Sequence, residues 1–227
     1  MIYFYTLLTI AAFMIALLIT KRIKSVLLNS FVLTVIILVA VLLAADIPYD
    51  QYMAGNAPLN NLLGVSVVAL ALPLYEQLHQ IAVRWKAILF IVTSASLLSM
   101  FSGALLALAL GASADVVATV LPKSVTTPIA MAIAQNIGGV PAVAAVGVVV
   151  AGLQGSVFGY LVLKKLQLKN SEAIGLAVGS VSHALGTVSC LEVDAKAGNY
   201  SSISLVLCGI ISSLLAPLVF KLVSFCM

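Results

Sequence analysis

Long apolar runs with few interruptions dominate the pattern of apolar and polar positions along the chain. A helix of about 20 residues crosses a bilayer, and six runs are long enough or nearly so: Ile2–Thr20, Ser25–Ala45, Pro58–Tyr75, Ala87–Leu110, Gly138–Leu163 and Tyr200–Phe220. No long linker separates these runs. The pattern therefore predicts an all-α, polytopic membrane protein with about six full spans in a single domain, residues 1–227.

Two further apolar segments, Val116–Ile137 and Ser171–Leu191, are interrupted by polar residues and helix breakers. The first contains LPKSVTTPIAMAIAQNIGG, which combines a lysine, a hydroxyl cluster, a proline, two amides and a glycine pair. Non-helical backbone at membrane depth is tolerated only where protein or a water-filled cavity surrounds it. We therefore expect both segments to be broken or re-entrant helical elements that line a polar cavity.

Composition decides the class of protein. Of the 227 residues 63% are hydrophobic and 8% are charged, whereas a soluble domain carries roughly 25% charged residues. A water-soluble fold could not cover so much apolar surface. The N-terminal run lacks a basic region and a cleavage site, so we interpret it as a retained span. The three cysteines are widely spaced in apolar runs and are expected to be packing residues: Cys190, Cys208 and Cys226.

Basic residues predict the orientation, because short cytoplasmic loops are enriched in lysine and arginine. Eight of the eleven basic residues fall in three clusters, namely Lys21, Arg22 and Lys24, then Arg84 and Lys86, then Lys164, Lys165 and Lys169. If these clusters are cytoplasmic, the N-terminus is periplasmic. Val116–Ile137 then begins and ends outside, so it must enter the membrane and return.

A short internal similarity links the two broken elements. KSVTTPIA (Lys123–Ala130) resembles GSVSHALG (Gly179–Gly186), and one span separates the two, so the elements would enter from opposite sides. Inverted repeats with broken helices that meet near the midplane recur in secondary transporters. The match covers eight residues, and it favours an inverted repeat without requiring one.

Lys123 is the main candidate for chemistry, since an ionisable residue inside a membrane is a functional hypothesis by default. Snorkelling to the outer interface is the alternative. A lysine beside hydroxyls and a helix N-terminus would suit a small carboxylate. The predicted substrate-binding residues are Lys123, Ser124, Thr126, Thr127, Gln135, Asn136, Ser182, His183 and Thr187.

Other residues are assigned to backbone geometry, coupling or packing. Glu192 and Asp194 either bind a coupling cation or proton or cap a solvated loop, and His183 either couples to protons or is structural. Small-residue stripes, Gly147 to Gly159 and Gly175 with Gly179, are expected to pack helices closely. The expected hinges are Pro128, Gly138, Gly139, Pro141 and Gly186.

Enzyme functions find no support in the motifs. The chain has no G-x-S-x-G, H-E-x-x-H or Walker sequence, so we expect neither an enzyme nor a bound metal or cofactor. The basic residues orient the protein in the bilayer and do not indicate nucleic-acid binding.

Three segments resemble the signature sequences of the LrgB/CidB family of bacterial inner-membrane proteins: LPKSVTTPIAMAIAQNIGGVPAVAAV, GLAVGSVSHALGT and GNYSSISLVLCGIISSLLAP. PLYEQLHQ and the following RWK resemble the YohK branch of this family. The residues that match the family's motifs are Lys123, Ser124, Thr126, Thr127, Pro128, Gly138, Gly139, Pro141, Ser182, His183, Gly186 and Thr187.

The resemblance implies two functions of different kinds. The family is associated with antiholin-like control of murein hydrolase activity and autolysis, usually with a small LrgA/CidA-like membrane partner. It is also similar to transporters of glycolate, glycerate and pyruvate, including a plastid fusion of both parts. We therefore expect a multi-pass, homo-oligomeric inner-membrane transporter of small carboxylates. The alternative is a regulatory membrane protein that transports no solute.

Overall fold

The computed structural model describes residues 2–23, 30–69, 71–76 and 78–225, and within these ranges the regular secondary structure is entirely helical. The chain divides into two compact units, Met1–Val68 and Ala69–Met227. Residues 25–29 of the predicted second span, Lys24 and Cys226 lie outside the described residues. The prediction of a single domain stays a prediction.

The first unit contains helices α1 (Ile2–Ile23), α2 (Ser30–Ala44), α3 (Tyr49–Gly55) and most of α4 (Ala57–Ala69). The chain bends by 120° between α2 and α3. The side chain of Tyr5 packs on Gly55, where an added Cβ would clash with the ring. The hydroxyls of Thr9 and Tyr52 are hydrogen-bonded at 2.8 Å, which ties α3 to α1.

The second unit contains the remaining helices and a π-helical turn at Gly155–Gly159 between α9 and α10. In chain order the helices are α5 (Ala71–Glu76), α6 (Leu78–Ala109), α7 (Ala114–Val120), α8 (Thr127–Asn136), α9 (Pro141–Gln154), α10 (Tyr160–Lys165), α11 (Ser171–Val181), α12 (His183–Val193) and α13 (Ala195–Ser224).

The prediction of six full spans is too high. Among the described residues three helices are long and apolar enough to cross a membrane, within α1, α6 and α13, and a fourth span exists only if the bent α2 and α3 count as one. Apolar runs do not reveal where a helix bends or stops. The run from Gly138 to Leu163, for example, contains the π-helical turn.

Helices α6 and α13 form the buried centre of the second unit and run in the same direction. Near their starts, Arg84 of α6 and Lys196 of α13 both pair with Glu172. Farther along, the Ser96 hydroxyl donates to the Cys208 sulfur at 3.3 Å. We call the side at which α6, α11 and α13 begin the basic end, because it carries Arg84 and Lys196 and also Lys169, in the loop before α11.

Arg84 was predicted in a loop but lies within α6, at a kink where its φ and ψ are −129° and 27°. The loop was inferred from charge alone. A kinked helix can place basic residues at the end of the unit while it remains helical. A cluster of basic residues therefore indicates a position along the membrane normal, but it does not identify a loop.

Helices α11 and α12 form a hairpin on α13. Gly175 and Gly179 of α11 lie against Ala197 and Ser201 of α13, so these two helices are parallel. Along α12 the order is reversed, because Thr187 contacts Ser201 while the later Leu191 contacts the earlier Gly198. Both arms therefore have their open ends at the basic end. The tip lies at Ser182 and His183, which separate the arms.

Helices α7 and α8 form a second hairpin with the opposite direction. Its tip contacts α6 through Ser124 and Ser99, well before α6 ends at Ala109. After α8 the chain returns to α7, and the Val140 N–H donates to the Thr119 hydroxyl at 2.8 Å. This hairpin thus opens at the end of the unit opposite the basic end. Each predicted broken segment thus contains two helices separated by a break, and that the segments are re-entrant stays a prediction.

The similar sequence stretches occupy equivalent places in the two hairpins. Thr126 is the N-cap residue of α8, and Ser182 at the matching position is the N-cap residue of α12. The next matched pair, Thr127 and His183, begins the two helices. The sequence similarity therefore corresponds to a repeated local structure, a break followed by a helix that leads away from the tip.

Candidate functional site

The tip of the α7–α8 hairpin carries a lysine that lies against α6. The Lys123 ammonium donates to the Ser99 carbonyl oxygen at 2.6 Å and to the Ser99 hydroxyl at 3.1 Å. It lies over Gly103, where an added Cβ would be 2.6 Å from Nζ and would displace the ammonium. An ammonium has three N–H donors. Two of them are used by the hydrogen bonds to Ser99, so one remains for a ligand.

Hydroxyl groups surround this lysine. The Ser124 and Ser99 hydroxyls are hydrogen-bonded at 2.6 Å. Thr126 is 8% exposed, and its hydroxyl oxygen has no partner among the described residues. Its side chain does not cap α8, although threonine at an N-cap usually accepts a hydrogen bond from the first turn. Within the described structure, the tip therefore keeps an unpaired hydroxyl beside a helix N-terminus.

The second tip is tighter than the first. Ser182 is 3% exposed, and an added Cβ at Gly155, in the π-helical turn, would clash with its side chain. His183 adopts φ +57°, a conformation that is uncommon for non-glycine residues and is found mainly where the surroundings enforce it. In the described part of the chain its buried Nδ1 has no hydrogen-bond partner.

A cavity of about 380 Å³ lies where the two tips approach each other. Lys123 and Ser124 line it from the first tip, and Ser182 lines it from the second. Gln154 contributes an amide from α9. The other walls are apolar and come from the π-helical turn, α10 and α11. The cavity thus combines one cation and two hydroxyls with apolar walls, and it is open to the surface, since Phe158, Val162 and Val181 in its lining are exposed.

Of the predicted substrate-binding residues, Lys123, Ser124 and Ser182 line the cavity, whereas Thr126, Thr127 and His183 lie near the tips without lining it. Gln135 and Asn136 are exposed at the far end of α8, about 13 Å from its start at 1.5 Å per residue. The Thr187 hydroxyl is bonded to Ser201 at 2.8 Å and holds α12 on α13. Sequence reasoning grouped these residues by their neighbours in the chain. A ten-residue helix carries such neighbours out of reach of one another.

Two of the predicted hinges, Pro128 and Pro141, lie at helix starts. Pro128 lies in the first turn of α8 and Pro141 at the start of α9, positions where the missing N–H costs nothing. Gly138 makes the return turn with φ +87°, as predicted. Gly139 lies against the backbone of α7.

Gly186 is a packing residue. An added Cβ there would clash with Ser182 and would lie 2.9 Å from Val178 of α11. The glycine therefore lets the two arms of the α11–α12 hairpin approach each other immediately below the tip. Nothing in its backbone conformation marks it as a hinge.

The two acidic candidates for ion coupling lie away from the cavity or outside the described side chains. Asp194 caps α13, accepting hydrogen bonds from the Lys196 and Ala197 N–H groups at 2.9 and 3.3 Å. A hydrogen bond from Ser171 and these backbone bonds lower the pKa of Asp194. The geometry corresponds to the capping alternative. The side chain of Glu192 lies outside the described residues.

Sequence reasoning missed Ser99 and Glu172. Ser96 and Ser99 are three residues apart within an apolar span, so they share one helix face, and that spacing was the available signal. Glu172 accepts hydrogen bonds from Arg84 and from Lys196, the latter at 3.0 Å. Its partners are 88 and 24 residues away in the chain, and no local pattern connects them.

A comparison with known families covers both hairpins. A family model described as LrgB-like family matches residues 9–222, which include both hairpins and the cavity. The chain belongs to the LrgB-like family. The match extends over nearly the whole sequence, so the family resemblance found in three short segments is confirmed.

Individual relatives cover most of the chain. A Haemophilus influenzae protein is 70% identical over 224 residues, 99% of this chain and 97% of its own length. YxaC of Bacillus subtilis is 42% identical over 94% of this chain and 93% of its own. Holin-like protein CidB of Staphylococcus aureus is 32% identical over 95% and 94%. No solved structure matches the chain.

Proposed function

We propose that this LrgB-like protein is a secondary transporter of small carboxylates of the glycolate, glycerate and pyruvate type. The observation that carries the proposal is the meeting of two oppositely directed hairpin tips at a cavity lined by Lys123, Ser124 and Ser182. Secondary transporters bind substrate between oppositely oriented broken helices. A scaffold that only regulates another protein has no evident need for a lysine at that depth.

The two hairpins serve as re-entrant elements in this proposal. Helix α13 has 30 residues, about 45 Å at 1.5 Å per residue. Ser180, two residues from the α11–α12 tip, bonds Ser204 about a third of the way along α13.

The basic end faces the cytoplasm, because cytoplasmic segments are enriched in lysine and arginine. The N-terminus is periplasmic, since Lys21 and Arg22 follow at the end of α1.

Carboxylate binding follows from the groups at the first tip. The third donor of the Lys123 ammonium supplies a full positive charge, and the α8 N-terminus supplies a partial one. The Ser124 hydroxyl, which lines the cavity, can donate to a carboxylate oxygen when Ser99 donates to it. Hydrogen bonds between charged partners are stronger than those between neutral groups. This combination favours an anion over a neutral solute or a cation.

A small LrgA/CidA-like membrane protein is the proposed partner, and the transporter is proposed to form homo-oligomers in the bacterial inner membrane. A regulatory role is the second candidate, because relatives that match this chain over 94% of their own length are named holin-like protein CidB. In that alternative the protein modulates murein hydrolase activity and autolysis without transporting solute. The two functions are one mechanism if transport of carboxylic acids by this protein is what alters cell lysis.

Uptake of labelled glycolate and pyruvate into proteoliposomes tests the proposal. The samples are the wild-type chain alone, the chain with its small partner, and Lys123→Met, which keeps the side-chain length and removes the charge. Lys221→Met, an exposed lysine near the end of α13, is the matched control. We expect saturable uptake that is lost only in Lys123→Met. No uptake by the wild type, even with the partner, would overturn the proposal and favour the regulatory function.

A further inference from the structure

A glutamine at the end of α9, outside both hairpins, lines the cavity beside the two tips. We propose that Gln154 is a specificity-determining residue that hydrogen-bonds the hydroxyl or keto group on the second carbon of the substrate. The inference rests on the proposed transport function. It assigns the recognition of 2-hydroxy and 2-oxo acids to a side chain that takes no part in holding the carboxylate.

Gln154 is the polar residue on an otherwise apolar helix face. This face runs through α9, the π-helical turn and α10, and its cavity-lining positions recur every three or four residues: Ala151, Gln154, Gly155, Phe158, Gly159 and Val162. Phe158 and Val162 are exposed apolar side chains, as lipid contact requires. A polar side chain within the membrane is costly and marks a functional position by default. The amide therefore needs a polar partner that the surrounding face does not offer.

The protein supplies no such partner among its described residues. Gln154 is exposed, and its side chain forms no hydrogen bond within the described part of the chain. The next residue, Gly155, packs on the second tip, because an added Cβ there would clash with Ser182. Ser182 is itself only 3% exposed. The free amide thus lies at the level of the tips and is more accessible to a ligand than the Ser182 hydroxyl.

The chemistry of the amide complements that of the first tip. The Lys123 ammonium can only donate hydrogen bonds, and Ser124 donates when Ser99 donates to it, so both groups suit a carboxylate. The Gln154 amide offers a carbonyl acceptor and two N–H donors. A 2-hydroxyl group can therefore donate to Oε1, and a 2-oxo group can accept from Nε2. One side chain accounts for binding of hydroxy acids and oxo acids at the same site.

One variant and a matched control isolate the amide. Gln154→Leu keeps a similar side-chain size and removes both the acceptor and the donors. Gln135→Leu makes the same change at an exposed position at the far end of α8 that does not line the cavity. Two pairs of acids differ only at the second carbon, namely pyruvate with propionate and glycolate with acetate. The ratio within a pair reports the substituent and does not depend on the amount of active protein.

The experiment measures inhibition of labelled pyruvate uptake into proteoliposomes by the four unlabelled acids. In the wild type and in Gln135→Leu, we expect the substituted acid of each pair to inhibit at about three- to tenfold lower concentration, the factor that one hydrogen bond contributes. In Gln154→Leu both ratios should approach one. Ratios that are unchanged in Gln154→Leu, or a wild type that does not distinguish the acids of a pair, would overturn the inference while leaving transport intact.

A binding measurement covers a variant that no longer takes up pyruvate. A ligand raises the unfolding temperature of the folded protein to which it binds, so the same pairs of acids are compared by thermal unfolding of detergent-solubilised Gln154→Leu. Loss of the preference for the substituted acids supports the assignment, and an intact preference contradicts it. Absence of pyruvate uptake by the wild type, even with its small partner, would instead overturn the proposed function.

Discussion

The two hairpins share a sequence stretch and a local geometry but are held in place by different forces. The α7–α8 hairpin has its lysine at the tip, where Lys123 bonds the Ser99 carbonyl of α6, and an acidic residue, Asp115, at its open end. The α11–α12 hairpin has its charge at the base, where Glu172 pairs with Arg84 and Lys196. Its tip contains Ser182 and His183 and no residue with a permanent charge.

The two hairpins also differ in how they pack against α13. Gly175 and Gly179 bring α11 into backbone contact with α13, and hydroxyl pairs such as Ser180 and Ser204, at 2.6 Å, add hydrogen bonds along the same face. The α7–α8 hairpin contacts α13 at fewer points, for example where Ile129 meets Gly209. One hairpin is thus built for close, neutral packing, and the other presents a cation to the cavity.

A methyl group at Gly179 should break the packed hairpin and give the largest effect. An added Cβ would lie 2.9 Å from the Ser201 Cα and carbonyl carbon, and backbone atoms cannot move aside as a side chain can. We expect Gly179→Ala to lower the free energy of unfolding by about 2 kcal/mol or more. Thermal unfolding of the detergent-solubilised protein measures it.

The control for that variant is Gly147→Ala, since nothing lies within 4 Å of a Cβ added at Gly147. Alanine favours helix over glycine, so this control should be neutral or slightly stabilising. Equal unfolding temperatures for Gly179→Ala and Gly147→Ala would show that α11 is not held on α13 by close backbone contact.

The backbone at the second tip provides the next test. A β-branched residue is poorly compatible with φ +57°, whereas asparagine tolerates it. We expect His183→Val to lose about 1–3 kcal/mol of stability and His183→Asn to lose much less. The difference between the two unfolding temperatures is the measurement. A smaller loss for valine than for asparagine would mean that the tip does not require this backbone conformation.

The charges at the base of the α11–α12 hairpin should have the smallest effect, because exposed ion pairs contribute little. The Lys196 hydrogen bond, with the charges of Arg84 and Lys196, lowers the pKa of Glu172. The stabilisation is therefore present above the ordinary glutamate pKa, near 4.3, and is lost as the pH falls through the lower folded value.

Unfolding temperatures at pH 7 and at progressively lower pH should show this loss in the wild type and not in Glu172→Gln. Glu76→Gln is the control, because Glu76 is exposed and makes no ion pair in the described part of the chain. The wild type and Glu76→Gln should lose stability on acidification more steeply than Glu172→Gln. Equal losses in all three proteins would show that the ion pairs of Glu172 do not hold the base of the α11–α12 hairpin.

The sequence predicted the breaks better than it predicted the spans. Polar residues and helix breakers inside apolar runs are local signals, so KSVTTPIA and GSVSHALG correctly indicated the two tips. Spans were overcounted in part because the π-helical turn at Gly155–Gly159 leaves the apolar run from Gly138 to Leu163 unbroken. Hydropathy reports burial in lipid and carries no information on helix direction.

The candidate site was predicted in part for the same reason. Lys123, Ser124 and Ser182 were found because each interrupts an apolar segment. Ser99 was missed because scattered serines change the hydropathy of a long apolar span little, although Ser99 holds the lysine. Partners on different helices are brought together by tertiary packing, which the short-range pattern of the chain does not encode.

The central claim is that both tips contribute to one carboxylate site. Single cysteines at Ser124→Cys, Ser182→Cys and the exposed control Gln135→Cys, with the native cysteines replaced by serine, would be labelled with a water-soluble thiol reagent in proteoliposomes. The account predicts that pyruvate slows labelling at both tips with the same half-maximal concentration and leaves Gln135→Cys unchanged. Protection at only one tip, or at neither, would contradict a shared site.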